Sequence, residues 1–237
     1  MSNIQKAIEI ERQYIDLRLS GLEPFPLFEE IEKLGFSSLE DYFENKRSYL
    51  FKQIDFNYVE EPMPNGVSEI FKMVKTNEPG ILFVDWEDTF VVSGNEGLET
   101  LNKDYCEEND ITIFPLHTGG GTIVGSKGDF SFGVCCPRDI VDDSDFILNH
   151  VRDILHRHTD LAVTVNRNDI CVDGKKICGS ANYAFKDVFM VIMHFSFNDW
   201  SNLISNICTT NKIGKNVSFV DFVAKDEFKQ EVLEWLL

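Results

Sequence analysis

Residues 166–181 read NRNDICVDGKKICGSA, and the middle of that stretch decides a local structure. Asp173-Gly174 is a favoured two-residue turn, and it stands between two β-prone arms, DICV and KKIC. The arms therefore form a hairpin. Lys175 and Lys176 fall just past the turn, where the two-residue period of a strand sends them to opposite faces. Beyond them Gly179, Ser180 and Ala181 leave room beside the chain. A lysine on a strand that faces a hollow is a fixed positive charge for a carboxylate or a phosphate.

Upstream of the hairpin, short β-rich runs succeed one another from residue 80 onward: ILFV, TFVVSG, ITIF, GTIV, DFSFGV and LAVTV. Between two of them lies DSDFILNHVRDILHRH. Here Ser144 can cap a helix, and Phe146, Ile147, Val151, Ile154 and Leu155 form its apolar stripe. His150, His156 and His158 read as polar-face residues of that helix, without the carboxylate pattern of a metal site. DEFKQEVLEWLL, at residues 226–237, reads as an amphipathic helix. The sum is an α/β (α+β) chain: a mixed, largely antiparallel sheet of neighbouring strands with packed helices.

One run in the β-rich part is unusual. PLHTGGGTIVGSKGDFSFG, residues 115–133, carries three consecutive glycines. It lacks the G-x-x-x-x-G-K-S/T spacing of a P-loop, and a β run rather than a helix follows it, which excludes the dinucleotide fingerprint. A strand–Gly-Gly-Gly–strand element lets the backbone approach a ligand closely and leaves N–H groups free for an anion.

The first part of the chain has a different texture. Residues 4–56 read as helical, with a capping-box pattern at Ser37 and Glu40 before the face of Leu39, Tyr42, Phe43, Leu50, Phe51 and Ile54. EEPMPNG, residues 60–66, reads as a linker or loop. The expected organisation is a helical N-terminal extension over 1–75 and a catalytic domain over 76–237. With 43% hydrophobic residues and 20 Phe among 237, the chain can bury a sizeable core. A formal net charge of −18 argues against nucleic-acid or anionic-membrane partners. No apolar run approaches the roughly 18 residues of a membrane span. The first residues carry charges throughout and no apolar signal core, so a cytoplasmic location is expected. Six Cys occur without a C-x-x-C pair, which suits reduced, mostly buried thiols and no metal site.

Taken in this order, the glycine run and the lysine hairpin resemble the lipoate–protein ligase family, within the wider biotin/lipoate ligase and transferase superfamily. The family shows Ser/Thr-Gly-Gly-Gly-x-Val, a Gly-Asn or Gly-Asp type turn and an aromatic strand; here these read TGGGTIVGSKGDFSFG. It then shows an Asn-Asp-Ile/Leu hairpin leading to G-x-K-I/V-x-G-S-A; here NDICVDGKKICGSA. ILFVDWEDTFVVSGNEG resembles the family's upstream strand pair, and the likeness continues to about residue 225. The resemblance implies a biotin/lipoate ligase-like catalytic domain. It implies an enzyme that uses ATP, with Mg2+, to activate lipoate, octanoate or a similar acid as an acyl-adenylate. The acyl group then passes to a Lys of a lipoyl carrier domain, and a separate accessory subunit is a further expected partner. Lys176 matches the essential lysine, and Lys175 is its solvated neighbour. Asn168 and Asp169 match residues near the nucleotide and metal. Thr118, Gly119, Gly120 and Gly121 would wrap the acid and the adenylate, with Gly94, Gly179, Ser180 and Ala181 as further binding positions. Phe132 and Val134 are candidates for either an acyl tunnel or the core.

The chain also departs from the family pattern. Leu116 stands in place of an Arg before the glycines, Asn95 in place of an Arg after Gly94, and Gly125 in place of a His. His117 is the candidate to replace part of the missing positive charge, against the plainer reading of a surface histidine. The family's H-G-T segment is not recognisable in VFMVIMHFSF. Two alternatives follow. One is an ATP-independent octanoyl or lipoyl transferase, in which Cys171 or Cys178 would accept the acyl group. The other is a binding or regulatory homologue weakened in catalysis.

Overall fold

The computed structural model describes residues 1–22, 24–116, 121–197, 199–209 and 223–237. The chain divides into two compact units, Met1–Ile54 and Asp55–Leu237. The first is helical: α1 (Asn3–Leu19), α2 (Leu27–Glu32) and α3 (Leu39–Phe51). Ala7, Ile31 and Tyr42 form its buried centre, with Ile4, Leu27, Leu34 and Phe36 packed around them. The Tyr42 hydroxyl would be costly to bury alone; it donates to Glu11 at 2.7 Å, and Lys46 completes the group at 2.5 Å. The cap expected at Ser37 lies one residue later. Ser38 Oγ accepts from Asp41 N at 3.0 Å, while the Asp41 carboxylate takes the Ser37 N–H at 2.7 Å. Asp41 thus answers a second donor that a Glu at position 40 would leave open.

The second unit contains β1 (Asn57–Pro62), α4 (Asn65–Thr76), β2 (Gly80–Asp85), β3 (Phe90–Ser93), α5 (Asn95–Leu98), α6 (Lys103–Glu108), β4 (Thr112–Pro115) and β5 (Thr122–Gly125). It continues with β6 (Phe130–Pro137), α7 (Asp145–His156), β7 (Val163–Asn166), β8 (Asp169–Val172), β9 (Lys175–Phe185), β10 (Val188–Phe195), α8 (Ser201–Ile207) and α9 (Lys225–Leu236). One sheet has seven strands in the order β1-β2-β6-β10-β9-β8-β7, and a second has three, β4-β3-β5. Only β1–β2 and β3–β4 run parallel among these pairs. The expected mixed, largely antiparallel sheet with packed helices is the architecture found. Residues 55–75, expected with the helical extension, form β1 and α4 of this unit, and the supposed linker at 60–66 begins as a strand. An edge strand whose polar side chains face water has the composition of a turn.

The middle strands are covered on both faces. Phe132, Val134, Cys135 and Cys136 on β6 and Val191, Met193 and Phe195 on β10 are fully buried. Phe132 and Val134 are therefore core residues, not tunnel walls. Phe130 stacks on Phe195 at 5.0 Å, and Phe228 of α9 tilts against Phe195 at 5.1 Å. Each such buried ring stabilises the fold by roughly 1.5–3 kcal/mol. Phe228, Val232 and Leu236 recur every fourth residue, so one face of α9 is buried. Lys225 and Lys229 extend from α9 to Asp85 and Glu60. Ser144 precedes α7 but makes no cap bond; Asp143 Oδ1 accepts from Asp145 N and Phe146 N instead, at 2.9 and 3.2 Å. Among the described residues no helix is long and apolar enough to cross a membrane.

Candidate active site

Asp173 and Gly174 both take positive φ, +47° and +71°, as the two-residue turn between β8 and β9 requires. Pairing then runs Val172–Lys175 and Cys171–Lys176, but Ile170 faces Cys178, so Ile177 is an extra residue on β9. This β-bulge locally re-aims the strand, a device that often sits beside functional sites. It leaves Ile177 and Cys178 buried and sends the Lys176 chain across Gly179. A Cβ on Gly179 would lie 3.0 Å from Lys176 Nζ and 3.1 Å from its Cε, so the ammonium occupies space a side chain would need. Asp169 Oδ1 is 2.8 Å from Nζ, and each side chain of this pair keeps 38% of its surface in solvent. Asn168 lies in the β7–β8 turn, where its carbonyl accepts from Ser180 N at 2.7 Å and Ser180 Oγ at 2.8 Å. Lys176, Asn168, Asp169, Gly179 and Ser180 thus come together at one end of β8 and β9. Ala181 follows on β9, opposite Ile192.

The glycine run enters the structure at Gly121; His117, Thr118, Gly119 and Gly120 lie outside the described residues. Gly94 N donates to Gly121 O at 2.9 Å, which ties the end of β3 to the start of β5. Ser93 Oγ and Thr122 Oγ1 are 2.8 Å apart. Gly97 of α5 packs so closely that a Cβ there would fall 2.3 Å from both hydroxyl oxygens and 2.9 Å from the Gly121 carbonyl carbon. Leu116, where the family pattern has Arg, donates its backbone N–H to Ser93 O at 2.7 Å, and its side chain packs against the apolar core.

Between these two elements runs a buried polar chain that the sequence reading did not single out. Trp86 Nε1 donates to Ser131 Oγ at 3.0 Å, and Ser131 Oγ is 3.0 Å from His194 Nδ1. His194 Nε2 faces Asp129 Oδ2 at 3.7 Å and has no hydrogen-bond partner among the described residues. Asp129 accepts from Ser126 N at 2.9 Å, Phe197 N at 2.7 Å and Trp200 Nε1 at 2.7 Å. Burial nevertheless pushes its carboxyl up to about 6, the three donors offsetting only part of the desolvation. Burial, then the nearby Lys176 charge, brings His194 down to about 3, so the imidazole is neutral. Ser, His and Asp in contact suggest a nucleophilic triad, but Ser131 is buried in β6 and already takes the Trp86 proton. The available signal was the lone polar residue in the apolar run VFMVIMHF.

Other candidates carry less. Cys171 and Cys178 are buried and their thiols are pushed up, mainly by desolvation, which disfavours the thiolate that an acyl acceptor needs. His158, Glu227 and Glu231 bring potential ligand atoms within 4.8 Å of one another. Glu231, however, is already engaged by Arg157 at 2.7 Å and His158 at 2.5 Å, a link between α7 and α9. A cleft of about 510 Å³ opens near Pro137, Arg138 and Lys186, at the end of β10 away from His194. His150 stacks on Trp235 at 4.7 Å rather than facing solvent alone.

Known structures share this fold. Lipoate-protein ligase LipL1 of Plasmodium falciparum, solved in complex with lipoate, superposes with a TM-score of 0.65 at 15% identity, over 76% of this chain and 61% of that one. A lipoate-protein ligase A bound with ATP gives 0.63 at 20% identity, over 77% and 84%. In sequence, lipoate-protein ligase LplJ of Bacillus subtilis is 30% identical over 142 residues, 56% of this chain and 42% of that protein. The chain spans less than half the length of the curated relatives it matches. Residues 68–223 match the lipoyl protein ligase A/B catalytic domain, and the chain belongs to that family.

Proposed function

We propose that this protein uses ATP to activate lipoate or a similar medium-chain acid, such as octanoate, as an acyl-adenylate. It then passes the acyl group to a lysine of a lipoyl carrier domain. The observation that carries this reading is the Lys176 ammonium: laid over a side-chain-free position by a strand bulge, weakly held by Asp169 and half open to solvent. As the carboxylate attacks the α-phosphate, negative charge gathers on the phosphoryl oxygens. A preplaced ammonium and free backbone N–H groups stabilise that charge without reorganising. Lys176 supplies the first. The glycine run, with Gly121 anchored by Gly94, is the source of the second. Asn168, Asp169, Gly179, Ser180 and Ala181 line the approach. His117, Thr118, Gly119 and Gly120 complete the site in this reading.

Mg2+ fits as an ion carried by the nucleotide phosphates. Asp169 offers it one half-exposed carboxylate, the usual way such a site meets this ion. Among the described residues the buried, protonated state of Cys171 and Cys178 disfavours a transferase that loads either thiol. Separate accessory chains and a cytoplasmic setting are compatible with this reading.

The test is incubation with ATP, Mg2+ and a panel of acids, reading pyrophosphate release and bound adenylate by mass spectrometry. Adenylate of lipoate or octanoate is the expected product. A protein that forms none, while loading a carrier from an acylated donor, is a transferase instead.

A further inference from the structure

His194 lies between two glycines. On one side Gly179 is its partner across β9, and the Lys176 ammonium lies over that glycine. On the other side stands Gly125, the last residue of β5 in the three-stranded sheet. A Cβ there would fall 2.6 Å from His194 Cε1 and 2.5 Å from the Trp86 ring. The imidazole is therefore the spacer between the strand that carries the ammonium and the strand that leads out of the glycine run.

Its nitrogens are ordered. Indole N–H only donates, so Ser131 Oγ accepts from Trp86, and its proton and second lone pair both remain for His194 Nδ1. The Asp129 carboxylate facing Nε2 favours the proton on that nitrogen, since the other tautomer sets a lone pair against it, and Ser131 then donates to Nδ1. The charged groups around the ring are Asp129, from the turn that joins β5 to β6, and Lys176 with its partner Asp169. Asp129 in turn holds the N–H groups of Ser126, before that turn, and of Phe197 and Trp200, ahead of α8.

We propose that His194 is a positioning residue for adenylation. Held as the Nε2–H tautomer, it sets the separation between the Lys176 ammonium and strand β5, with its second nitrogen facing Asp129. The inference rests on the adenylating role of Lys176 stated above.

His194→Phe keeps a ring of similar bulk and loses both nitrogens, whereas His194→Gln keeps a donor of similar reach. With ATP and lipoate, the Phe variant is expected to lose roughly ten- to a hundredfold in kcat for pyrophosphate release, the scale of a small misplacement. KM for ATP should stay within about twofold, because binding is not what the ring supplies. Gln should recover most of kcat. A Phe variant with wild-type kcat, or a Gln variant no better than Phe, overturns the proposal and leaves the Lys176 reading standing. A wild-type protein that releases no pyrophosphate sinks the Lys176 reading and this inference with it. If the Phe variant does not fold, nitrogen-15 spectra of the wild-type histidines decide: a proton on Nε2 of His194 is expected, and one on Nδ1 overturns the proposal.

Discussion

Two acid–base pairs sit on neighbouring strands, and they differ in the one respect that matters for chemistry. Lys176 and Asp169 meet at 2.8 Å with 38% of each side chain in water. His194 and Asp129 stand 3.7 Å apart, 6% and 0% exposed. An open pair is worth about 0–1 kcal/mol, so its lysine can exchange a protein carboxylate for a ligand anion at little cost. A sealed pair cannot exchange anything, and its carboxylate carries the desolvation cost that lifts Asp129 to about 6. The first is placed to act and the second to hold.

The largest effect should come from the open pair. Lys176→Ala should cost adenylate formation a hundredfold or more, roughly 3–4 kcal/mol of transition-state stabilisation. Urea unfolding of that variant should shift by less than about 1 kcal/mol. Normal pyrophosphate release from it would remove the functional half of the contrast.

The two glycines that flank His194 sharpen it next. Gly125→Ala drives a Cβ into Trp86 and His194, both buried and hemmed in, and should destabilise by about 1–3 kcal/mol. Gly179→Ala presses on the flexible end of Lys176 and meets Asp169 Oδ1 at an ordinary 3.8 Å. It should leave stability within about 0.5 kcal/mol while lowering adenylation. Equal unfolding midpoints for the two variants would mean that the sealed side is no more rigid than the open one.

Acid separates the members of the sealed pair. His194 falls to about 3 in the fold, so the stability it contributes is complete above its ordinary pKa of 6.5 and is lost as pH drops toward 3. Asp129 rises to about 6 from 3.8, so its cost is present above 6 and fades as pH drops toward 3.8. Between pH 6 and 4 the two trends oppose. Asp129→Asn leaves only the histidine, and the variant should lose stability relative to wild type by up to about 1.4 kcal/mol per pH unit over that window. Unfolding curves at three pH values that stay parallel would break the pairing. Asp169→Asn removes the same open pair as Lys176→Ala and should likewise move the unfolding free energy by less than about 1 kcal/mol.

Much of this was legible along the chain. The runs ILFV, FVVS, TIF, TIV, FSFGV and DICV are strands because alternation and β-branched side chains are local signals. Asp173-Gly174 set the hairpin, and the hairpin set Lys176. β10 was not legible as a strand, because VFMVIMHF is buried on both faces and shows no period. β1 was not legible because Glu60, Glu61 and Pro62 look like a turn. Asp129 and His194 meet only after two sheets have formed, 65 positions apart in their partnership with the fold around them, and no local pattern carries such a contact. Ser38 displaced Ser37 as the cap because the deciding bond runs to Asp41, and adjacent serines are equivalent to a pattern.

Gly125 and the ring of His194 claim a single volume from two different sheets. Bulk at one address thus requires its absence at the other, and substitutions at the two positions are expected to couple rather than add. Substitution surveys that treat them one at a time will find each intolerant, while a paired exchange offers a route between the two solutions.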